Sequence, residues 1–362
     1  MLVYVAIALV PLLLYFFPVK QKKLMLYSIL VILFLVSTFR DVNIGTDYKR
    51  YVYYFHQIAN GGKAFFEKGF IWLNTVASKL GNDYWILAGI INLMLFLPLT
   101  IYTKKVANET KYWIVVLLVF VLNPYMYIQT TFNILRQCCA SGIILLSEKY
   151  LRKKKHVIFF VLVLLASLFH EAAIFLLILP FAFSIKWTKK KWFVLSTVTF
   201  ILSVTVAGPI IDLAMELVAE ISRFGHYGDY EASLLNNPVY IVFVFVYVLI
   251  LVSQYDSLVT DDKSKWYVNL YLFSKIMLFL TVKNDMFYRV GIMISFLSIG
   301  ALPRIFEKID ELQNDKNNLF FVRYGQLFKV LHIAYYVCFY AGYILYLWIR
   351  GNTAYIPFKF CF

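Results

Sequence analysis

Charge is what this chain has least of. Only 15% of its 362 residues are Asp, Glu, Lys or Arg, against about 25% in soluble domains. With 62% hydrophobic residues, that scarcity excludes an ordinary soluble fold. A formal charge of +15 would point to nucleic acid in a soluble protein. Here, however, the Lys and Arg residues gather in short segments between apolar runs, where the positive-inside rule places them, and no nucleic acid partner is expected. Cysteine is scarce as well: of the four, Cys138 and Cys139 are adjacent, which is neither a CxxC motif nor a disulfide framework. A Gly-rich phosphate loop, a nucleotide-binding pattern and an internal repeat are all missing, so neither cofactor nor metal is expected.

What fills the chain instead is apolar sequence. Runs at 2–17, 24–39, 84–102, 112–128, 133–151, 156–169, 171–185, 192–208, 238–255, 266–282, 289–306 and 325–349 are each close to the length that crosses a ~30 Å hydrocarbon core. None alternates as barrel strands do. The fold expected is all-α, a polytopic transmembrane helical bundle of about 12 spans forming one integral membrane domain over 1–362. The first run has no basic residues before it and has Lys20, Lys22 and Lys23 after it. That order is opposite to a cleavable signal peptide. Basic loops such as the run from Arg152 to Lys155 and Lys189 to Lys191 then fall inside, and both termini fall outside.

That orientation puts the first long polar stretch, 40–83, on the outer side. Tyr48, Tyr51, Val52, Phe55 and Ile58 recur at helical spacing, as do Phe66, Phe70, Leu73, Ala77 and Leu80 after Gly61-Gly62. Both segments read as interfacial helices lying along the bilayer. A second outer loop, 209–237, has a similar amphipathic segment and a lid-like character. The inner segment EKIDELQNDKNN reads as a solvated turn.

Ionisable groups at span ends are costly against lipid and normally face the bundle or a cavity. Arg136 shares a helix face with Asn133, Gln137, Ala140, Ser141, Ile144 and Ser147. Its planar fork suits phosphate oxygens, though an Arg at a helix end is also an ordinary snorkelling anchor. His170, with Glu171 beside it, is placed at an outer turn, where imidazole can bind a phosphate or sugar or move a proton; a helix-packing histidine is the bland alternative. In VKNDMFYRVG, Lys283, Tyr288 and Arg289 precede a span. There Arg289 sits at the positive end of the helix dipole, an unfavourable place unless an anion is near. Asp47 suits either a helix N-cap or a general base for a sugar hydroxyl, and Glu67 is a second candidate for base work or sugar binding.

The residues R-x4-GTDY-x2-Y-x3-F from Arg40 to Phe55, E-x-GF from Glu67 to Phe70, LRQ-x2-A from Leu135 to Ala140, FH-x2-A from Phe169 to Ala173 and YR at Tyr288-Arg289 resemble, in this order, the EpsG family of Wzy-like polysaccharide polymerases. The resemblance runs over about residues 1–340. It implies a GT-C-like membrane glycosyltransferase of the bacterial inner membrane. Its site would face outward and polymerise undecaprenyl-pyrophosphate-linked oligosaccharide repeat units into capsule, exopolysaccharide or O-antigen. A flippase and a chain-length regulator of the same pathway are the partners it implies, besides the lipid bilayer. Asp47 would then be the base; Arg136, Arg289 and Arg40 would hold pyrophosphate; His170 would assist. Tyr48, Tyr51, Glu67, Gln137, Glu171, Lys283 and Tyr288 would line the substrate site.

The rival readings are weaker. A lipid-linked oligosaccharide flippase should show duplicated halves and charges deep in several spans. A membrane acyltransferase needs a His-based acid–base site with access to an acyl donor, often from the cytoplasmic side, which His170 alone on the outer face fits poorly. A structural partner of an export complex should tolerate Asp47→Asn. The topology is testable directly: an impermeant thiol reagent on intact cells should label Lys63→Cys and spare Lys154→Cys. The opposite pattern would invert the orientation.

Overall fold

The computed structural model describes residues 1–16, 21–205, 238–280, 285–316 and 318–361. The lid-like loop 209–237 and Lys283 lie outside them. Among the described residues the secondary structure is helical, with one antiparallel bridge between Arg40 and Phe360. The chain forms two compact units, one of Met1–Leu177 with Val330–Phe362 and one of Ile178–Lys329.

The first unit opens with α1 (Leu2–Phe16) and α2 (Lys22–Thr38), close to the first two apolar runs. The polar stretch folds into α3 (Tyr48–Ala59) and α4 (Lys68–Leu80), which pack on each other. Next comes α5 (Tyr84–Glu109), which buries Leu87, Ala88, Ile91, Leu95 and Leu99 along one stripe, the i, i+4 pattern of a core-facing helix. Every residue of α6 (Ile114–Leu122) is buried. The chain then bends by 74° into a π-helical turn, Tyr125–Gln129, and the short α7 (Thr130–Phe132). Pro124 explains the break, since it has no N–H to continue the helix. Beyond it, α8 (Leu135–Arg152) packs on α5 and on α9 (His156–Ser167), and a 3-10 helix, Glu171–Ile178, follows. On α8 the face read from the sequence is buried at Gln137, Ala140, Ser141, Ile144 and Ser147.

The second unit holds α10 (Leu179–Ser184), α11 (Lys189–Val204), α12 (Pro238–Ser253), α13 (Tyr255–Leu258), α14 (Asp262–Leu280), α15 (Asp285–Ser298) and α16 (Ala301–Gln313). The last helix, α17 (Leu319–Ile349), begins in this unit and ends in the first. Thr188 caps α11 by accepting from the Lys191 N–H at 3.3 Å, as a threonine N-cap does. Trp192 stacks on Trp187 at 4.1 Å and donates to Asn269 Oδ1 at 3.0 Å. The segment EKIDELQNDKNN is helical through Gln313 rather than a turn. Ile305, Ile309 and Leu312 recur at helical spacing and are buried, and Asp310 pairs with Lys329 at 2.5 Å.

Among the described residues, two helices, Tyr84–Glu109 and Leu319–Ile349, are long and apolar enough to cross a membrane. The number is up to four if the bent pairs Ile114–Leu122 with Tyr125–Phe132 and Phe287–Ser298 with Ala301–Gln313 each count as one span. Five further apolar helices have 10–17 residues, short of the ~20 that span the hydrocarbon core when straight. The apolar helices fit a membrane protein; the count of about 12 spans stays an expectation from run length.

One buried cation organises the entry to the polar stretch. Arg40 is 1% exposed and donates through Nε to the Ile44 carbonyl at 3.3 Å, through Nη2 to that of Phe132 at 3.2 Å and through Nη1 to that of Ser37. Its guanidinium lies 3.7 Å from the centre of the Tyr48 ring, within cation–π range. The C-terminal segment closes over the same loop: Asp41 N–H donates to Lys359, Gly45 N–H to Ala354 and Cys361 N–H to Phe39. Phe358 packs against Tyr4 and Phe132. Arg40 and Tyr48 are thus packed against each other, and three of the five guanidinium N–H groups of the arginine expected to help hold pyrophosphate go to backbone carbonyls. Arg40→Lys, which cannot reach all three, should lower stability in detergent by about 2–3 kcal/mol. Unchanged melting would contradict the clamp.

Candidate functional site

The site is assembled around residues 129–136, the link from the π-helical turn into α8. Its first half is the GTDY loop. Gly45 has φ of +106°, a left-handed region that glycine enters without a Cβ penalty, and a Cβ there would overlap the Phe132 carbonyl. The loop can therefore press onto the link. Asn133 Oδ1 then accepts from both Thr46 Oγ1 and the Asp47 N–H, each at 2.7 Å. Asp47 precedes α3 as expected, but its side chain makes no capping bond and its backbone is in the α region.

The second half is the E-x-GF segment. Glu67 Oε2 lies 2.7 Å from Arg136 Nη1, Oε1 lies 3.4 Å from His170 Nδ1, and Oε1 accepts from the Glu171 N–H at 3.2 Å. Gly69 makes this approach possible. Its N–H donates to the Leu168 carbonyl at 2.9 Å, and a Cβ would stand 2.7 Å from that oxygen. Phe66 lies under the guanidinium of Arg136 at 5.2 Å. Tyr51, on α3, packs on Phe66 and Phe70 and interacts through its hydroxyl with Arg136. Because Tyr51 N–H donates to the Asp47 carbonyl, Asp47 stands one helical turn, about 5.4 Å of rise, from the residue that touches Arg136.

Three residues named from the sequence as separate candidates, Glu67, Arg136 and His170, are thus in one cluster, with the Glu171 backbone joining it. Gln137 is fully buried on the next position of α8. Tyr288, buried, and Arg289, half-buried, belong to α15 of the second unit. The sequence reading missed Gln129, Tyr343 and Tyr355. Gln129 accepts from Asn133 Nδ2 at 3.2 Å and from Tyr355 at 3.4 Å, and it donates to Tyr343 at 2.6 Å. Their only sequence signal is that Gln129 and Asn133 are polar four apart in an apolar setting.

Electrostatics separates the two carboxylates. Burial alone would raise the Glu67 carboxyl. The His170 hydrogen bond and the Arg136 charge outweigh it and bring the group down to about 2. So weak a proton acceptor is ill-matched to base work near neutral pH, and Glu67 fits orienting Arg136 and His170. The Arg136 Nε–H is buried and unpartnered. A buried donor left over on a guanidinium at the start of a helix is a place for an oxyanion, because dipole and charge there have the same sign.

Fold and site together define an all-helical protein with membrane-like apolar helices and a compact Glu–Arg–His cluster. The family model described as EpsG family matches residues 23–360, and the chain belongs to this family, that of Wzy-like exopolysaccharide polymerases. The match takes in the C-terminal segment, beyond the limit of 340 read from motifs, and omits α1. No curated protein and no solved structure matches the chain.

The lowered Glu67 carboxyl has a definite sign for stability. A folded value of about 2 against an ordinary 4.5 contributes stability fully present above the unfolded value and lost as pH falls through the folded one. The stability difference between wild type and Glu67→Gln should be flat above about pH 5 and shrink toward pH 2. A difference independent of pH over that range would contradict the ion pair.

Proposed function

We propose that the chain is an extracytoplasmic, GT-C-like glycosyltransferase of the bacterial inner membrane that extends a surface polysaccharide from lipid-linked repeat units. One observation carries the reading: a buried, unpartnered Arg136 donor at the start of α8, beside an ionised carboxylate and an imidazole. That set suits a phosphate-bearing leaving group. An undecaprenyl pyrophosphate donor arrives already activated, so the chemistry requires charge stabilisation and one base.

In this mechanism Asp47 takes the proton of the acceptor hydroxyl while that oxygen attacks the anomeric carbon of the donor sugar. The bond from this carbon to the pyrophosphate oxygen breaks, and the leaving lipid pyrophosphate gains the charge that Arg136 neutralises. Glu67 holds Arg136 and the His170 ring in place; His170 contacts the phosphates or the acceptor. Exposed Tyr53, Phe65 and Trp72, with exposed Lys63 and Lys68 among them, suit the headgroup level of the bilayer. Supporting the reading are family membership, the order of the motifs and the convergence of three of them on one cluster.

Purified protein in lipid, given repeat-unit lipid extracted from the producing strain, should yield a ladder of polymer lengths. Arg136→Ala and Asp47→Asn should each reduce it by about 100-fold or more without loss of folded protein. Lipid carried across the bilayer with no ladder would replace polymerisation by transport.

A further inference from the structure

The GTDY loop hangs on a relay of hydrogen bonds that reaches far outside its own motif. Asn133 Oδ1 receives Thr46 Oγ1 and the Asp47 backbone at 2.7 Å each. Asn133 Nδ2 is oriented by Gln129 Oε1, and the Gln129 amide is oriented in turn by Tyr343 and Tyr355. An amide whose acceptor oxygen serves two donors cannot flip without losing both, and the Gln129 contact on its nitrogen removes the other orientation. The Tyr355 hydroxyl is also close to Thr46 and Asp47, and the neighbouring Ala354 carbonyl accepts from Gly45. Both ends of the loop are therefore positioned by groups that do not come from it.

We infer that Asn133 is a positioning residue for Asp47, and that Gln129 and the C-terminal Tyr355 set the orientation of its amide. The inference rests on the reading of Asp47 as the base. Asn133 touches the backbone of Asp47, so it acts on the carboxylate only by fixing where α3 begins. Its effect is on the turnover step. Three residues further on, Arg136 carries the proposed leaving-group contact, so one short link sets base and leaving group in a common frame. The relay couples the last residues of the chain to a loop more than 300 positions earlier.

The test is a mutant cycle on the polymer ladder, with repeat-unit lipid from the producing strain as substrate. Asn133→Ala should lower kcat by about 10- to 100-fold, as a displaced catalytic group does, with KM and melting temperature close to wild type. Thr46→Val removes one of the two donors at an exposed position and should cost a smaller part of the same loss; it decides the matter if Asn133→Ala does not fold. In Asp47→Glu, which keeps a carboxylate, the Asn133→Ala loss should largely vanish, because residues acting as a unit are not additive. Equal losses in both backgrounds, or a rise in KM alone, would overturn the positioning role while leaving the base in place. Full activity of Asp47→Asn would overturn the base assignment and the inference together.

Discussion

A guanidinium and a carboxylate 2.7 Å apart hold this site together, and most of what surrounds them follows from the need to keep both charged in an apolar chain. Arg136 and Glu67 come from segments 69 positions apart, one at the start of α8 and the other just before α4. Removing either would leave a largely buried charge without its counter-ion, a larger loss than that of an exposed pair. The fold answers with particular devices: Gly69 against the Leu168 carbonyl, Phe66 and Tyr51 beside the guanidinium, and His170 on the second carboxylate oxygen. None of these is explained by helix propensity or by lipid exposure.

The link 129–136 carries this constraint to the GTDY loop. Asn133 takes that loop and Arg136 takes Glu67, so two segments that meet this link separately are fixed by side chains three positions apart. Arg40 and the C-terminal segment complete the frame from the other side. A buried cation that donates to three carbonyls is a fastening, while Arg136 keeps a buried Nε–H without a partner.

Much of the helical layout was legible in the apolar runs, because run length and 3.6-residue spacing are local properties. The runs at 24–39 and 156–169 match α2 and α9 to within two residues at each end. Breaks inside runs were not legible: Asn123-Pro124 splits one, and a bend of 46° splits another into α15 and α16. Glu67, Arg136 and His170 were visible as ionisable groups in apolar surroundings. Their meeting was not, since no spacing rule relates residues that far apart. The carbonyl partners of Arg40 were hidden for the same reason, since any sequence supplies carbonyls. Gln129 and Tyr355 escaped notice because amide and phenol groups at span ends are common and acquire meaning only through their partners.

The GTDY loop and the E-x-GF segment both dock on residues 129–136, the link that runs into the first turn of α8. Paired cysteines in native membranes test it, with Cys338 and Cys361 replaced: Thr46→Cys with Asn133→Cys, and Glu67→Cys with Arg136→Cys. Each pair should form a crosslink under mild oxidation, while a mismatched pair, Lys79→Cys with Asn133→Cys, should form none. Failure of both predicted pairs in folded protein would mean that the two segments do not share that link, and the site as described would not exist.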